Sequence, residues 1–390
     1  MDKIEFLKLG KQPIANRFLD QGDISNEFFY DLNVGLDKDT GLVTQMDYVD
    51  APLMFNKEYA YRGSMSKTMV NHFASFSLSV AEILPANAKI LEIGSNDGVF
   101  LKNWNSENAI AVEPCGNFAK ETNELGYKTY NEFWTKELSE RIVEEHGKMD
   151  FIFAANCICH IPNLDETFSA VRETLNDDGI FVFEDPSLAR MLVLNSYDQI
   201  YDEHPHIFSV SALKNILARN DLNIVKVDEL TVHGGSNRIW VKKSTNAQID
   251  PSVEYNLDLE KSINILDLST MKSFADRVQK SKEDLLYILN MFKQQGKKVI
   301  SYGATSKSTT VFNYCGINTD FIDYITDTTP EKQNKVSPGM HIPIISPEDG
   351  FNNSVDYAYL GAWNFAEEIK KKESSFTGKF ITHVPTVRLL

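Results

Sequence analysis

The chain has 390 residues, too many for one ordinary hydrophobic core, so its length predicts two or three domains. Its formal net charge of −16 at pH 7 argues against a nucleic-acid-binding surface, which would need a basic stripe or a basic domain. No apolar stretch approaches the roughly 18 residues that would span a bilayer, and the first residues lack the basic and apolar regions of a signal peptide. We therefore expect a cytoplasmic protein with no nucleic acid or membrane partner.

The N-terminal region, residues 1–63, reads as short extended pieces and turns separated by glycine and proline. This pattern predicts a small irregular module on the substrate side of the protein, without a large core of its own. From Ser64 to Ala86 apolar residues recur at helical spacing, and they lead into the first strand of a predicted sheet at Lys89.

A glycine-bearing acidic turn follows that first strand. Residues 89–98 read KILEIGSNDG, an apolar strand that runs into the turn, and residues 109–114 read AIAVEP, a second apolar strand that ends in a carboxylate. In a doubly wound sheet the ligand lies across the carboxyl ends of the strands. Glycines there permit close backbone approach, and a carboxylate on the second strand suits ribose hydroxyls. Glu113 has that place.

The charge of this turn indicates which nucleoside it accepts. It lacks the G-x-G-x-x-G pattern of nicotinamide enzymes, and the carboxylates of Glu92 and Asp97 would repel a phosphate. Acidic groups suit a cationic, phosphate-free nucleoside, and S-adenosylmethionine is the common one. We therefore predict an α/β fold with a Rossmann-like class I methyltransferase sheet. The cofactor residues predicted in these two segments are Glu92, Gly94, Asn96, Asp97, Gly98 and Glu113.

Strand and helix patterns alternate through the rest of this unit, which predicts a parallel sheet with crossover helices. The predicted elements are strands at 89–92, 149–155 and 180–184, helices near 118–125 and 164–175, and a turn at 176–179. A helix at 210–220 and strands at 224–230 and 238–242 are consistent with the antiparallel end of a methyltransferase sheet. We assign residues 64–245 to this domain.

The C-terminal part, residues 246–390, is predicted to hold a second, smaller α/β domain. A polar stretch at 243–253 reads as a linker, and a long amphipathic helix follows, with Phe274, Leu285 and Phe292 on one face. The strands predicted after this helix lie at 298–304, 321–325 and 357–360.

Residues 197–209 (YDQIYDEHPHIFS) are unusually dense in groups that hold or move protons. Tyr201, Glu203 and His204 offer an acid, an orienting carboxylate and a base within one turn of chain. Histidine is the natural base because its pKa lies near neutrality. The spacing alone is equally compatible with a polar loop that carries incidental histidines.

Several short segments give the chain a resemblance to a known family. Residues 200–204 (IYDEH) resemble the I-Y-x-E-H motif of bacterial sugar C-methyltransferases, which use S-adenosylmethionine to methylate a carbon beside the ketone of a nucleotide-linked 4-keto-6-deoxy sugar. Further matching segments, spread over nearly the whole chain, are 9–16 (LGKQPIAN), 58–61 (EYAY), 155–160 (ANCICH), 233–238 (HGGSNR), 302–304 (YGA), 313–316 (NYCG) and 338–343 (PGMHIP).

The resemblance implies a mechanism in which His204 removes the proton beside the ketone and the enolate attacks the methyl group of S-adenosylmethionine. Glu203 would orient and stabilise His204, as a carboxylate does for a catalytic imidazole. Tyr201 and an upstream tyrosine would donate hydrogen bonds to the enolate oxygen. We place that tyrosine at Tyr61, with Tyr59 as the alternative; a packed aromatic pair would explain both equally well.

The resemblance also implies the ligands. The substrate would be a keto sugar linked to TDP, GDP or CDP, with C-3 favoured over C-5 as the methylated carbon, and we expect a monomer. The residues assigned to the cofactor side are Asn156 and His160. Those assigned to the substrate side are Tyr59, His233, Ser236, Arg238 and Lys307. Arg238 and Lys307 could contact the diphosphate, or they could be an ordinary surface arginine and a solvated lysine. His160 could equally be a structural residue at a helix start.

The chain departs from the family at its beginning. Members usually carry a zinc module with two C-x-x-C pairs, but here Asp37 and Thr40 stand where the second pair would be. The sequence begins too late to hold the first pair, and its first cysteine is Cys115. Because structural zinc needs four thiolate or imidazole ligands, we predict no metal and a module held by packing alone. Asp202 replaces a common histidine, and Ser308 stands where glycine is usual.

Three other functions are compatible with the sequence. The same enolate, reprotonated from the other face, would make the protein an epimerase. Methylation of a sugar oxygen or nitrogen needs a base but no ketone. A protein that kept the fold and lost catalysis would only bind its ligand, although the intact Tyr201, Glu203 and His204 weigh against this.

Overall fold

The computed structural model describes residues 2–243 and 248–390, and it contains three β-sheets. The predicted domain boundary between residues 245 and 246, and residues 244–247 of the predicted linker, lie outside the described residues. Within the two described ranges, no helix is long and apolar enough to cross a membrane.

The strands are β1 (Lys3–Pro13), β2 (Phe29–Asp37), β3 (Val43–Gln45), β4 (Ile90–Ile93), β5 (Ala109–Val112), β6 (Lys128–Tyr130), β7 (Met149–Ala155), β8 (Leu175–Pro186), β9 (His206–Ile207), β10 (Leu222–Leu230), β11 (Ser236–Lys243), β12 (Val299–Tyr302), β13 (Ile325–Thr326), β14 (Ile344–Ile345), β15 (Tyr357–Leu360), β16 (Lys379–Thr382) and β17 (Arg388–Leu389). The α-helices are α1 (Ala51–Met54), α2 (Lys67–Ala81), α3 (Gly116–Glu124), α4 (Lys136–His146), α5 (Leu164–Thr174), α6 (Leu188–Leu194), α7 (Val210–Ala218), α8 (Pro251–Ser262), α9 (Leu268–Gln294), α10 (Ser306–Cys315), α11 (Pro347–Gly350) and α12 (Ala366–Lys372).

The central sheet has seven strands in the order β10-β11-β8-β7-β4-β5-β6. Strands β4 to β8 run parallel, and β11 pairs antiparallel with both β8 and β10. Because side chains alternate along a strand, Phe151 and Phe153 pack under α2 on one face while Ile152 packs against α4, α5 and α7 on the other. This arrangement confirms the predicted Rossmann-like α/β fold with an antiparallel end.

The predicted turn at 176–179 lies within the range of β8, which begins at Leu175. A Cβ on Gly179 would lie 3.1 Å from the backbone nitrogen of Asn176, so the chain does turn there. Met149 pairs with Leu175 and Phe151 pairs with Ile180, so these polar residues form an irregularity within the pairing of β7 and β8. The side-chain amide of Asn176 donates a hydrogen bond of 2.6 Å to the carboxylate of Asp150, which ties the segment to the neighbouring strand β7.

The N-terminal module is more regular than predicted. Its strands β1 and β2 are 11 and 9 residues long and pair antiparallel, and the sheet order is β1-β2-β3-β9. Leu9 and Val34 from these strands pack in one cluster with Phe274 and Leu285 of α9. The module therefore gains its regularity from a core that it shares with the C-terminal part of the chain.

The C-terminal sheet has the order β14-β13-β12-β15-β16-β17 and is parallel except for β17. The long helix predicted before it is α9, with 27 residues. The strand predicted at 321–325 is wrong over most of its length, because the backbone amides of Phe321 and Ile322 both donate to Asn318 in a turn, and β13 begins only at Ile325.

Candidate active site

Residues from the central and C-terminal sheets line a cavity of about 1000 Å³, together with Asn16 from the turn after β1. The predicted site residues on its wall are Tyr59, Tyr61, Glu92, Gly94, Asn96, Glu113, Asn156, His160, Tyr201, Glu203, His204, His233 and Lys307. Four predicted site residues are not on that wall, namely Asp97, Gly98, Ser236 and Arg238.

Glu113 clamps the turn that follows β4. Its two carboxylate oxygens accept hydrogen bonds from the backbone amides of Asn96, at 2.6 Å, and Cys115, at 2.8 Å. Each oxygen retains lone pairs for the hydroxyls of a ribose. Gly94 has a φ of +74°, and a Cβ there would lie 2.6 Å from the sulfur of Cys157, so only glycine fits this close approach.

The other acidic residues of the turn have different positions. Glu92 is 3% exposed, one of its oxygens has no hydrogen-bond partner within the described chain, and burial raises its pKa well above the usual value. Asp97 instead accepts hydrogen bonds from the backbone and hydroxyl of Ser64, and Gly98 packs behind the turn. One oxygen of Asp97 also has no partner among the described residues, but Asp97 and Gly98 lie off the cavity wall and shape the turn. Glu92 and the clamp at Glu113 lie on that wall and fit a cationic nucleoside.

His204 is held as a neutral base. Its Nδ1 lies 2.7 Å from the carbonyl oxygen of Gln199, and only a protonated Nδ1 can donate to a carbonyl. The lone pair is therefore on Nε2, which accepts from the hydroxyl of Tyr201 at 2.9 Å. Burial lowers the pKa of His204 well below the ordinary value, so the ring is unprotonated at neutral pH.

His160 stacks on His204, with ring centroids 5.1 Å apart, and Phe55 stacks on its other face. Its Nε2 has no partner among the described residues, and burial lowers its pKa to about 3. Donor atoms of Cys159, His160 and His204 lie within 4.8 Å of one another. Stacked rings hold their lone pairs in nearly parallel planes, which disfavours convergence on one ion at zinc–nitrogen distances of about 2.0–2.1 Å.

The predicted contact from Glu203 to His204 is wrong. The two oxygens of Glu203 instead accept hydrogen bonds from the side chains of Asn16, at 2.6 Å, and Tyr59, at 2.8 Å. The carbonyl of Gln199 orients the imidazole in its place. A backbone carbonyl leaves no signature in a sequence, so residue types alone could not reveal this partner.

The two upstream tyrosines belong to different parts of the site. The hydroxyl of Tyr59 binds Glu203, which ties it to the catalytic segment. The side chain of Tyr61 is 44% exposed, and its carbonyl accepts a hydrogen bond of 3.0 Å from the side chain of Asn96. Tyr61 therefore lies beside the predicted cofactor turn.

The diphosphate contact predicted for Arg238 is also wrong. Its Nε donates to the buried carboxylate of Glu184 at 2.6 Å, and its guanidinium lies 3.7 Å from the centre of the Phe76 ring. β11 places this side chain under α2, outside the cavity. Ser236 is buried, its hydroxyl donates to the carbonyl of Val232 at 3.4 Å, and it is not among the residues of the cavity wall to which its predicted substrate contact would bring it.

His233 does line the cavity. Its backbone has a φ of +53°, and its Nε2 has no hydrogen-bond partner in the described part of the chain. Burial lowers its pKa to about 3, so His233 presents a neutral ring to a ligand.

The C-terminal sheet and the loops after its strands form another part of the cavity wall. Lys307 lies in the first turn of α10, and its ammonium makes no ion pair or hydrogen bond to any described residue. Asp327, at the end of β13, accepts hydrogen bonds from the backbone amides of Ala304, at 2.7 Å, and Thr329, at 2.8 Å. We did not predict a role for Asp327, although it follows its strand as Glu113 follows β5, which is the signal that could have found it.

Models of known families cover most of the chain in three consecutive pieces. Residues 1–55 match a putative zinc binding domain, residues 67–227 a methyltransferase domain, and residues 231–385 a C-methyltransferase C-terminal domain. The fold, the acidic nucleoside turn and these matches define an S-adenosylmethionine-dependent methyltransferase, which confirms the predicted class and cofactor.

Two solved structures are distant from this chain, and a C-methyltransferase sequence is similar over its whole length. A methyltransferase structure from Clostridium acetobutylicum has 13% identity, covers 44% of this chain and 91% of its own, and gives a TM-score of 0.34. A methyltransferase structure from Anabaena variabilis has 16% identity, covers 45% of this chain and 85% of its own, and gives a TM-score of 0.36. C-methyltransferase NovU from Streptomyces niveus is 30% identical over 398 residues, which span 100% of this chain and 94% of NovU. The chain belongs to the C-methyltransferase family.

The zinc that the first family model suggests does not fit the residues present. Residues 1–55 contain no cysteine and no histidine. At the position of the usual second cysteine pair, the hydroxyl of Thr40 donates a hydrogen bond of 2.5 Å to the buried carboxylate of Asp37. A side-chain hydrogen bond thus closes the turn that a metal would otherwise close.

Proposed function

We propose that this C-methyltransferase methylates a nucleotide-linked 4-keto-6-deoxy sugar at C-3. The observation that carries the proposal is the composition of the cavity wall, which joins an acidic nucleoside turn, a neutral His204 and an unpaired Lys307. A cavity of about 1000 Å³ is at the upper end of the range for one small ligand, so it suits a cofactor and a substrate together.

The chemistry begins with removal of a proton from the carbon beside the ketone. His204 takes that proton on Nε2 and becomes an imidazolium, which the carbonyl of Gln199 stabilises through Nδ1. Tyr201 lies 2.9 Å from this nitrogen, and burial raises its pKa well above the usual value, so its hydroxyl stays protonated. It can donate to the ketone oxygen as negative charge develops there. S-adenosylmethionine, when bound, supplies the methyl group to the resulting enolate.

The nucleotide would lie against the C-terminal sheet. We assign residues 246–390, which include this sheet, to a substrate domain, and residues 64–245 to the cofactor domain. The free ammonium of Lys307 at the start of α10 suits a diphosphate, and the clamp at Asp327 suits a ribose. Lys332 also lines this wall and binds the carbonyl of Ala304 at 2.8 Å.

The proposed base is a neutral histidine, and its weakness is the reason that the substrate should carry a ketone. A neutral histidine is too weak to deprotonate an ordinary sugar carbon, whereas a C–H beside a ketone is acidified by delocalisation into an enolate. An epimerase would share this first step, but it would have no use for the methyl donor that the cofactor turn accepts.

A panel of nucleotide 4-keto-6-deoxy sugars tests the proposal. Each is incubated in deuterated water with and without S-adenosylmethionine, and the products are analysed by mass spectrometry and NMR. We expect one added methyl group at C-3 only when the donor is present. Deuterium uptake without methyl gain would favour epimerisation, and no change with any sugar would contradict the proposed substrate class.

A further inference from the structure

Several contacts join the N-terminal module to the segment that carries the base. We propose that this module is a working part of the active site, in which Asn16 and Gln45 are positioning residues that hold the segment from Tyr201 to His204. The expected loss of turnover rests on the proposed function, whereas the geometry and its test by hydrogen exchange do not.

Gln45, at the end of β3, holds both ends of this segment. It is 1% exposed, and its side-chain amide donates to the carbonyls of Tyr201, at 2.7 Å, and His204, at 3.0 Å. Its backbone amide donates to the carbonyl of Pro205 at 2.8 Å. One residue of the module thus fixes the chain on both sides of the base.

Residues in the turn after β1 bind the carboxylates of Asp202 and Glu203, which lie between Tyr201 and His204 in the chain. The backbone amide of Ala15 donates to Asp202 at 2.9 Å, and the side chain of Asn16 donates to Glu203 at 2.6 Å. Glu203 in turn accepts from Tyr59 at 2.8 Å. Asn16 and Tyr59 therefore hold the two oxygens of Glu203 from different sides, and both line the cavity.

The segment depends on these bonds because it has no regular secondary structure between Ile200 and Pro205. No helix or strand ladder fixes the distance from His204 to a substrate carbon. A displacement of about 1 Å at a catalytic group can lower the rate about 10²-fold. Loss of a module contact should therefore lower turnover even when the protein stays folded.

The test compares Asn16→Leu and Gln45→Met with Gln12→Met. Gln12 is a matched control, because it is a buried amide of the same module that binds the carbonyls of Leu9, at 2.9 Å, and Thr310, at 3.4 Å, outside the catalytic segment. We expect Asn16→Leu and Gln45→Met to lower kcat about 10²-fold, with unchanged affinity for S-adenosylmethionine. Gln12→Met should stay within about twofold of the wild type.

Two further readouts separate positioning from a general loss of stability. Backbone hydrogen exchange, followed by mass spectrometry without any sugar, should become faster over residues 200–205 in Asn16→Leu and Gln45→Met but not in Gln12→Met. Asn16→Asp keeps the shape of the side chain but places a second carboxylate against Glu203. Two adjacent carboxylates can share a proton at low pH, so its kcat should fall more at pH 8 than at pH 6.

The outcomes are distinct. Unchanged exchange over residues 200–205 in both test variants would overturn the proposal, as would an equal loss of kcat in Gln12→Met. If wild-type protein converts no sugar of the panel, the proposed function fails while the exchange data still decide whether the module holds the segment.

Discussion

Two turns on the cavity wall are built in the same way. After β4, Glu113 accepts the backbone amide of Asn96 at 2.6 Å, and after β12, Asp327 accepts that of Ala304 at 2.7 Å. Each carboxylate also accepts the amide two residues beyond itself, at 2.8 Å. The turns differ in their neighbouring side chains, because Glu92 lies beside the first and the unpaired Lys307 beside the second. Under the proposed function, the first turn would hold a cationic nucleoside and the second an anionic one.

The strongest test of this comparison removes the proposed base, His204, which lies on the same cavity wall as both turns. We expect His204→Ala to lower kcat at least about 10³-fold, because general base catalysis contributes up to about 10⁴-fold. Calorimetric affinities for S-adenosylmethionine and for a nucleoside diphosphate should both stay near the wild-type values, since neither turn is changed. Retained turnover would exclude His204 as the base.

The next test replaces the carboxylate of each turn, at Glu113 or Asp327, with a neutral amide of nearly the same shape. Glu113→Gln should weaken S-adenosylmethionine about 10–100-fold and leave the nucleotide unaffected, whereas Asp327→Asn should do the reverse. Each variant serves as the control for the other in titration calorimetry. Equal losses for both ligands in either variant would contradict the assignment of one ligand to each turn.

Lys307→Met should have a smaller effect that depends on salt. We expect Kd for a nucleoside diphosphate to rise about tenfold at low ionic strength, because one charge-assisted contact is lost. Lys136→Met is a matched control: this lysine also lies in the first turn of a helix, α4, but it pairs with Glu140. A nucleotide affinity that is equal in the two variants would remove Lys307 from the phosphate site.

The smallest expected effect concerns pH. Burial lowers the pKa of His204, so the base stays deprotonated as the pH falls below the ordinary histidine value of about 6.5. The acidic limb of kcat/KM should therefore lie below pH 6.5, with little loss between pH 7.5 and pH 6.5. A profile that is half-maximal at pH 6.5 would contradict a buried base.

The sequence was informative where function follows local pattern. An apolar strand with a glycine turn predicted the central sheet, and residues 200–204 brought attention to His204 and Tyr201. Predictions failed where a side chain binds a residue that is distant in the sequence. Glu203 binds Asn16, 187 positions away, and Arg238 binds Glu184 beneath α2. Such choices depend on how the sheets pack, which spacing along the chain does not encode.

The core shared by β1, β2 and α9 also bears on the order in which the protein assembles during synthesis. Strands β1 and β2 leave the ribosome before α9, and their apolar faces can pack against Phe274 and Leu285 only after α9 has been made. Domains usually fold in the order of their synthesis. In this chain we expect β1 and β2 to complete their packing later than their place before α9 would suggest.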